Sequence, residues 1–414
     1  MALDKLATLY TDSRKPKEAE AAYEEAVDIH RQLAKSNPAA YQPGLAADLN
    51  NLGTFYIGSR KPKEAEAAFQ EAVNIDRQLA KSSPFYQRIL TIELSNLGSF
   101  YSDTERRKEA EATYEEALGI NRELAKSDPA TYQPYLALTL DSLGTFYLNT
   151  HRYQEAERAY EEAMDIDRRL TGDNLAIGQG QLADLLSNMA MLYSDSQRPK
   201  EAEGACEEAL EIYRQLARSS PVYQPDVART LGTLGHFYQG TQRYKEAETA
   251  FYDAVDIERQ LVKNSSAYQP ILAVFLNELG GLYYHDTQRL KDAEAAFQES
   301  ADIERRLAST DPATYQPTLA IVLGNLARLH LRIKSMTRAK EEIEEAVATN
   351  RKLWSSSPLA HGDQLANSLF EYARILFSTE QERSKACALI QEGIDVAYDP
   401  SLKQSGKDLL PRCK

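Results

Sequence analysis

Six histidines, three cysteines and 62 acidic side chains are the groups of this 414-residue chain best able to do chemistry. A protein metal site needs ligands grouped at short helical or loop spacings. The histidines are scattered, with no His-x-x-x-His pair. The cysteines, Cys206, Cys387 and Cys413, form no Cys-x-x-Cys. No metal and no cofactor is expected. The cysteine spacing also gives no disulfide framework, which suits a reducing compartment. Gly178-Gln179-Gly180 is a lone glycine pair rather than a phosphate loop, and reads as a flexible turn. Glu24-Glu25 and its many copies lie beside Lys and Arg. They read as the solvent face of a helix and not as an acid–base pair. No catalytic constellation emerges, and the chain is expected not to be an enzyme.

Charge and hydropathy narrow the partners. The net charge is -14, so the average field repels a phosphate backbone or an anionic bilayer. Nucleic acid is disfavoured. No apolar run approaches the roughly 20 residues that span a membrane, and Met1-Ala2-Leu3-Asp4-Lys5 does not open a secretory leader. A cytoplasmic protein is expected. The hydrophobic fraction of 43% is enough for a substantial core.

The elements that must position any site come from internal repetition. Leu49-Asn50-Asn51-Leu52-Gly53-Thr54-Phe55-Tyr56 returns as Leu94-Ser95-Asn96-Leu97-Gly98-Ser99-Phe100-Tyr101 and as Leu140-Asp141-Ser142-Leu143-Gly144-Thr145-Phe146-Tyr147. Later copies run through Ala190, Gly235, Gly280, Ala327 and Ala373, and a shorter first copy centres on Ala7. A second motif, Lys17-Glu18-Ala19-Glu20-Ala21-Ala22-Tyr23, follows the first and recurs around Ala65, Ala110, Ala156, Ala202, Ala247 and Ala293, then more weakly at Ala339 and Ala386. Leu49, Leu52, Gly53 and Tyr56 share one helical face, as do Ala65, Phe69, Ala72, Ile75 and Leu79. Each motif is therefore one helix, and the unit of about 46 residues is a helix pair. Pro38, Pro84, Pro129, Pro221, Pro312 and Pro358 read as helix stops. Tyr41-Gln42-Pro43 and its copies read as helix starts. This places the first helix at about 43–57 and the second at about 62–81. An all-α array of about nine pairs is expected over 1–396, weaker from about 320, with 397–414 as a tail or capping segment.

The Leu-x-x-Leu-Gly-x-x-Tyr stretch is followed by Ala twelve residues after the Gly, an aromatic four later and Ala three after that. It resembles the tetratricopeptide repeat family. Gly53, Ala65, Phe69 and Ala72 match, as do Gly144, Ala156, Tyr160 and Ala163. The long unit and the Leu-Asn-Asn-Leu-Gly wording resemble its kinesin light chain subgroup. Arg77 stands where the family often has a proline. The segment from Thr171 to Gly180 departs from the pattern, and one residue is inserted near Tyr284 and His285.

The resemblance implies a right-handed superhelix whose concave wall is made by the first helices. Stepping from each core Gly or Ala then gives the inward-facing residues. Early in the chain they are Asn50, Thr54, Ser95, Ser99, Asp103, Asp141, Thr145, Asp184, Ser187 and Asp195. Late in the chain they are Arg229, His236, Asn277, His285, Arg328, Arg332 and Arg374. The early wall is acidic and hydroxyl-rich, the late wall basic, though Asp286 departs from that division. An extended peptide of matching bipolar charge is the expected partner, with carboxylates at Arg328, Arg332 and Arg374. Asn51, Asn96, Asn188 and Asn325 precede the core Leu or Met. Two roles stay open for them: gripping a peptide backbone, as the resemblance implies, or bonding one helix to the next. The expected function is a scaffold or adaptor holding a peptide or protein. The second reading is a regulatory or sensor subunit of a larger assembly, with any catalytic domain on another chain.

Overall fold

The computed structural model describes residues 2–12, 15–171, 176–378 and 382–413. The chain divides into two compact units, Met1–Ile212 and Tyr213–Lys414. The first contains α1 (Ala2–Asp12), α2 (Pro16–Ser36), α3 (Pro38–Gly58), α4 (Pro62–Leu79), α5 (Pro84–Asp103), α6 (Arg107–Ser127), α7 (Pro129–Asn149), α8 (Tyr153–Thr171), α9 (Ala176–Asp195) and most of α10 (Pro199–Ser219). The second contains α11 (Gln224–Gly240), α12 (Tyr244–Asn264), α13 (Gln269–His285), α14 (Leu290–Thr310), α15 (Pro312–Arg332), α16 (Met336–Ser356), α17 (Pro358–Phe377), α18 (Arg383–Val396) and α19 (Pro400–Leu409). No strand occurs among the described residues. From α1 to α9, and again from α11 to α19, each helix packs on the next. The fold is an all-α solenoid of nine helix pairs among the described residues, with α19 following the last.

Each pair closes through a small residue. A Cβ added to Gly53 would lie 2.9 Å from the Phe69 ring, and one on Gly144 2.5 Å from Tyr160. Gly235 meets Phe251 at 2.8 Å and Gly280 meets Phe297 at 2.7 Å in the same way. The first helix thus offers a gap, and the aromatic ring of the second fills it. Cys206 takes the ring's place in the fifth pair and is buried.

The turns inside the pairs are also uniform. Arg60, Glu105, His151, Gln197, Gln242 and Lys334 adopt left-handed backbone, with φ between 57° and 61°. The basic residue that follows five of them folds back over a tyrosine. Arg106 lies 4.3 Å from the Tyr101 ring centroid and Arg152 4.3 Å from that of Tyr147. The same guanidinium of Arg152 reaches Glu111 on the preceding second helix at 2.7 Å. At the insertion the turn changes: Asp286 has φ -92° and its carboxylate accepts from the Gln288 amide at 2.9 Å.

Three readings of the sequence are corrected. Pro38, Pro84, Pro129, Pro312 and Pro358 open helices rather than end them, because each occupies the first turn, where no amide donor is needed. Asn37, Asp128 and Asp311 cap those starts, each accepting from an amide at 3.3 Å. Pro43, Pro134 and Pro317 consequently lie inside helices. Tyr-Gln-Pro begins the helix only at α11 and α13, where short 3-10 turns precede it. Gly178 and Gly180 are buried helical residues of α9, not a flexible turn; 172–175, before them, lie outside the described residues. Finally, Cys387 and Cys413 form a disulfide. Their separation of 26 residues carries no recognisable spacing, and only the return of the C-terminal 3-10 turn to α18 brings them together.

The gap-and-ring packing predicts that Gly144→Val will be costly, because Tyr160 is fully buried with no room to yield. Overpacking of this kind costs roughly 1–3 kcal/mol. A urea titration followed by circular dichroism should show that loss, whereas Gly119→Val, at a glycine with nothing within 4 Å of an added Cβ, should not.

Candidate functional site

The expected wall residues lie on first helices in both units. In Met1–Ile212, Asn51, Thr54, Ser99 and Asp184 are exposed, and Asn50, Asn96, Asp141 and Asn188 are half-buried. Their polar groups join successive repeats. The Asn96 amide donates to Asn50 Oδ1 at 3.0 Å, and that of Asn188 donates to Asp141 Oδ1 at 2.8 Å. Thr54 donates to the Asn50 carbonyl of its own helix at 3.1 Å, and the Thr145 hydroxyl pairs with that of Tyr160 at 3.0 Å. Burial pushes the Asp141 carboxyl up to about 6; the Asn188 bond pulls it down, and the charge of Asp184 pushes it up again.

In Tyr213–Lys414, the Asn325 amide donates to Asn277 Oδ1 at 2.7 Å, and Arg328 donates to Asn325 Oδ1. The structure therefore brings together Asn50 with Asn96, Asp141 with Asn188, and Asn277 with Asn325 and Arg328. These bonds realise the inter-helix role for Asn96, Asn188 and Asn325. Where Ser142 and Thr233 replace the amide, the hydroxyl donates to a carbonyl of its own helix, and Glu278 in the same place faces His236. His236 stacks edge-on to Phe251 at 5.1 Å, with Nδ1 4.0 Å from Glu278.

The basic residues of this unit differ in their surroundings. Arg229 pairs with Asp226 at 2.6 Å, and Arg374 pairs with Glu371. Arg328 and Arg332 are exposed on α15 and are held by neutral oxygens, Arg328 by the Asn325 amide and Arg332 by the Tyr284 carbonyl. Arg332 also lies over the Tyr284 ring at 4.9 Å. Its guanidinium is thereby oriented without losing its charge. Aliphatic side chains line the same faces: Ile92 and Leu138 in the first unit and Val274 and Ile321 in the second, each 40–50% exposed. Each stands six residues before its core Gly or Ala, the register of Asp184 and Arg229.

Sequence reading missed a second polar row, on the second helices, whose satisfied members bond to the first helix of the next pair. Seven second helices supply one residue each: His30, half-buried, and Asp76, Asn121 and Asp167, buried, in the first unit, and Glu258, Glu304 and Asn350, buried, in the second. The signal was present, since each recurs at the repeat step, and most directly follow an Ile. Some are satisfied. His30 meets Asp48 at 2.5 Å, Asn121 donates to Thr139 at 2.8 Å, and Asn350 donates to Ser368 at 2.6 Å. Others are buried carboxyls: both oxygens of Glu258 and one each of Glu304 and Asp167 lack a partner, while Asp76 pairs with the Glu93 carboxyl. Burial pushes Glu258 and Glu304 up to about 7. Asp167 also rises to about 7, through burial and then the charge of Asp141. Asp76 and Glu93 are likewise raised, chiefly by burial. The one free cysteine among the described residues, Cys206, is raised to about 11 by burial and is unsuited to act as a nucleophile.

These raised carboxyls fix the sign of a pH effect. The native state keeps a proton that the unfolded chain releases near pH 4. Stability is therefore full below that value and is lost as pH climbs, until pH passes about 7 for Glu258 and Glu304. Glu258→Gln and Glu304→Gln should leave stability at pH 4 little changed and raise it at pH 9, each by an amount of order 2 kcal/mol. Denaturation curves at the two pH values measure this, and equal changes at both would contradict it.

Comparison with known proteins bears out the resemblance. Tetratricopeptide repeat models match residues 1–38, 49–79, and the overlapping stretches 88–169, 135–215 and 181–260, together more than half of the sequence. The chain belongs to the tetratricopeptide repeat family. It is a repeat scaffold of the protein-interaction type. A model of anaphase-promoting complex subunit 5 matches 240–373. No curated protein matches the chain significantly. Among solved structures, BtubC (BKLC) from P. vanneervenii is 23% identical, covers 60% of this chain and 92% of its own, and has a TM-score of 0.50. The Signal Transduction ATPase with Numerous Domains protein with a tetratricopeptide repeat sensor, from Pyrococcus horikoshii, is 12% identical over 95% of this chain, with a TM-score of 0.56. This chain spans 55% of that protein. Both likenesses concern the fold. No helix among the described residues is long and apolar enough to cross a membrane.

Proposed function

We propose that the chain is a scaffold that holds an extended peptide or protein segment against the first-helix wall, and that the segment taken by Tyr213–Lys414 is acidic. The observation that carries this reading is the pair Arg328 and Arg332. They are exposed one helical turn apart on α15 and donate to neutral oxygens, with Arg332 also over the Tyr284 ring. Two guanidiniums so placed can each meet a carboxylate with paired hydrogen bonds. Val274 and Ile321 on neighbouring first helices offer apolar contact beside them. The segment they suit carries acidic residues interspersed with aliphatic ones. The wall of Met1–Ile212 has the opposite character: Asp103, Asp141 and Asp184 suit a basic segment. The match of 240–373 to a subunit of a multiprotein complex supports work within an assembly.

Fluorescence anisotropy of the full chain with acidic, neutral and basic peptides tests this. The wild type should prefer acidic aliphatic peptides over neutral ones, with affinity falling as salt rises. Arg328→Glu with Arg332→Glu should weaken that binding by roughly tenfold or more, about 1.4 kcal/mol, with helicity retained. Equal affinity in a still-helical variant would overturn the assignment.

A further inference from the structure

We propose that α19 is a redox-latched cap: the Cys387–Cys413 disulfide fastens this helix over Phe370 of α17, and reduction releases it. The argument begins with position. In this unit the later first helices touch the first helix before them and the second helix of the preceding pair. So α15 touches α13 and α14, and α17 touches α15 and α16. In the same way α19 touches α17 and α18. It occupies the place that the first helix of a further pair would take.

The fit there is close. A Cβ on Gly406 of α19 would lie 2.5 Å from the Phe370 ring of α17 and 2.7 Å from Ile394 of α18. One on Gly393 of α18 would lie 2.4 Å from the same ring. Phe370 stands three residues before the core Ala373, the register of Asn50, Asp141 and Asn277. Where those positions carry a polar rung to the next repeat, this one carries a phenyl ring that needs cover.

Yet α19 has little with which to hold itself. It is ten residues long and buries only Gly406 and Leu409, with Leu402 and Leu410 partly covered. A helix this short is not stable alone. Its polar fastenings lie at the surface: Asp363 accepts from the amides of Tyr398 and Asp399, and Arg383 donates to the Arg412 carbonyl. The disulfide is the one covalent fastening. Both cysteines are half-buried, so a thiol can reach them.

Release is a thiol–disulfide exchange with a dithiol. One thiolate of the dithiol attacks one sulfur of the Cys387–Cys413 bond, forms a mixed disulfide there and expels the other cysteine as thiolate, which takes a proton. The second thiol of the reductant then attacks its own partner sulfur. The reductant leaves as a disulfide, two electrons poorer, and both cysteines become thiols. Without the cross-link, α19 detaches and uncovers Phe370 and its neighbours on α17 and α18.

Hydrogen exchange with mass spectrometry on the full chain, with and without dithiothreitol, tests the latch. Amides of α19 should exchange roughly a hundredfold or more faster after reduction, as expected for the loss of a cross-link closing a loop of this length, while α11 to α16 stay unchanged. The Cys387→Ser, Cys413→Ser variant should show the fast pattern with or without dithiothreitol, and Cys206→Ser should respond like the wild type. Unchanged exchange on reduction would mean that packing alone holds the cap and would overturn the proposal. Alkylation of both Cys387 and Cys413 in the native, air-oxidised protein would overturn it equally.

Discussion

Everything in this molecule depends on how closely two helices of one pair approach. A glycine or alanine in the first helix removes the bulk that would hold the axes apart, and a phenyl or phenol ring from the second occupies the space. Gly53 with Phe69, Gly144 with Tyr160 and Gly280 with Phe297 are three copies of one contact. Packing this dense leaves little freedom. It fixes which face of each first helix is covered, and therefore which face remains for solvent or a partner.

The polar groups divide along the same line. On the uncovered face, amides and carboxylates bridge one first helix to the next, as Asn96 does to Asn50 and Asn325 to Asn277. A second row of polar residues lies on the second helices. His30 with Asp48 and Asn121 with Thr139 are satisfied there by the first helix of the next pair, while Glu258 is not. A buried carboxyl without a partner favours its neutral form. At Glu258 and Glu304 burial therefore ties stability to pH, and stability falls as pH rises towards about 7.

The fold was largely legible because repetition multiplies each weak signal. A single Leu-x-x-Leu-Gly stretch would mean little, but several in register define the pair, the step and the aromatic partner. Single-residue chemistry was harder to read. Pro38 was mistaken for a stop because a proline after one helix and a proline at the start of the next are identical in sequence; the Asn37 cap decides between them. The wall residues were placed from helical period alone. The division between Arg374, which pairs with Glu371, and Arg328, which does not meet a carboxylate, was invisible, because it turns on which side chains reach which neighbours.

By itself, then, the sequence determined the helix pairs, their small-against-aromatic packing and the contrasting charges of the early and late walls. Those properties follow from periodicity and residue volume, both local. Only the tertiary structure decided that Asn96, Asn188 and Asn325 bond across repeats, that Glu258 is buried without a partner, and that Cys387 meets Cys413. Each of these joins elements remote in sequence or depends on the exclusion of water. Such proximity and burial are set when the helices stack, and no spacing along the chain encodes them directly.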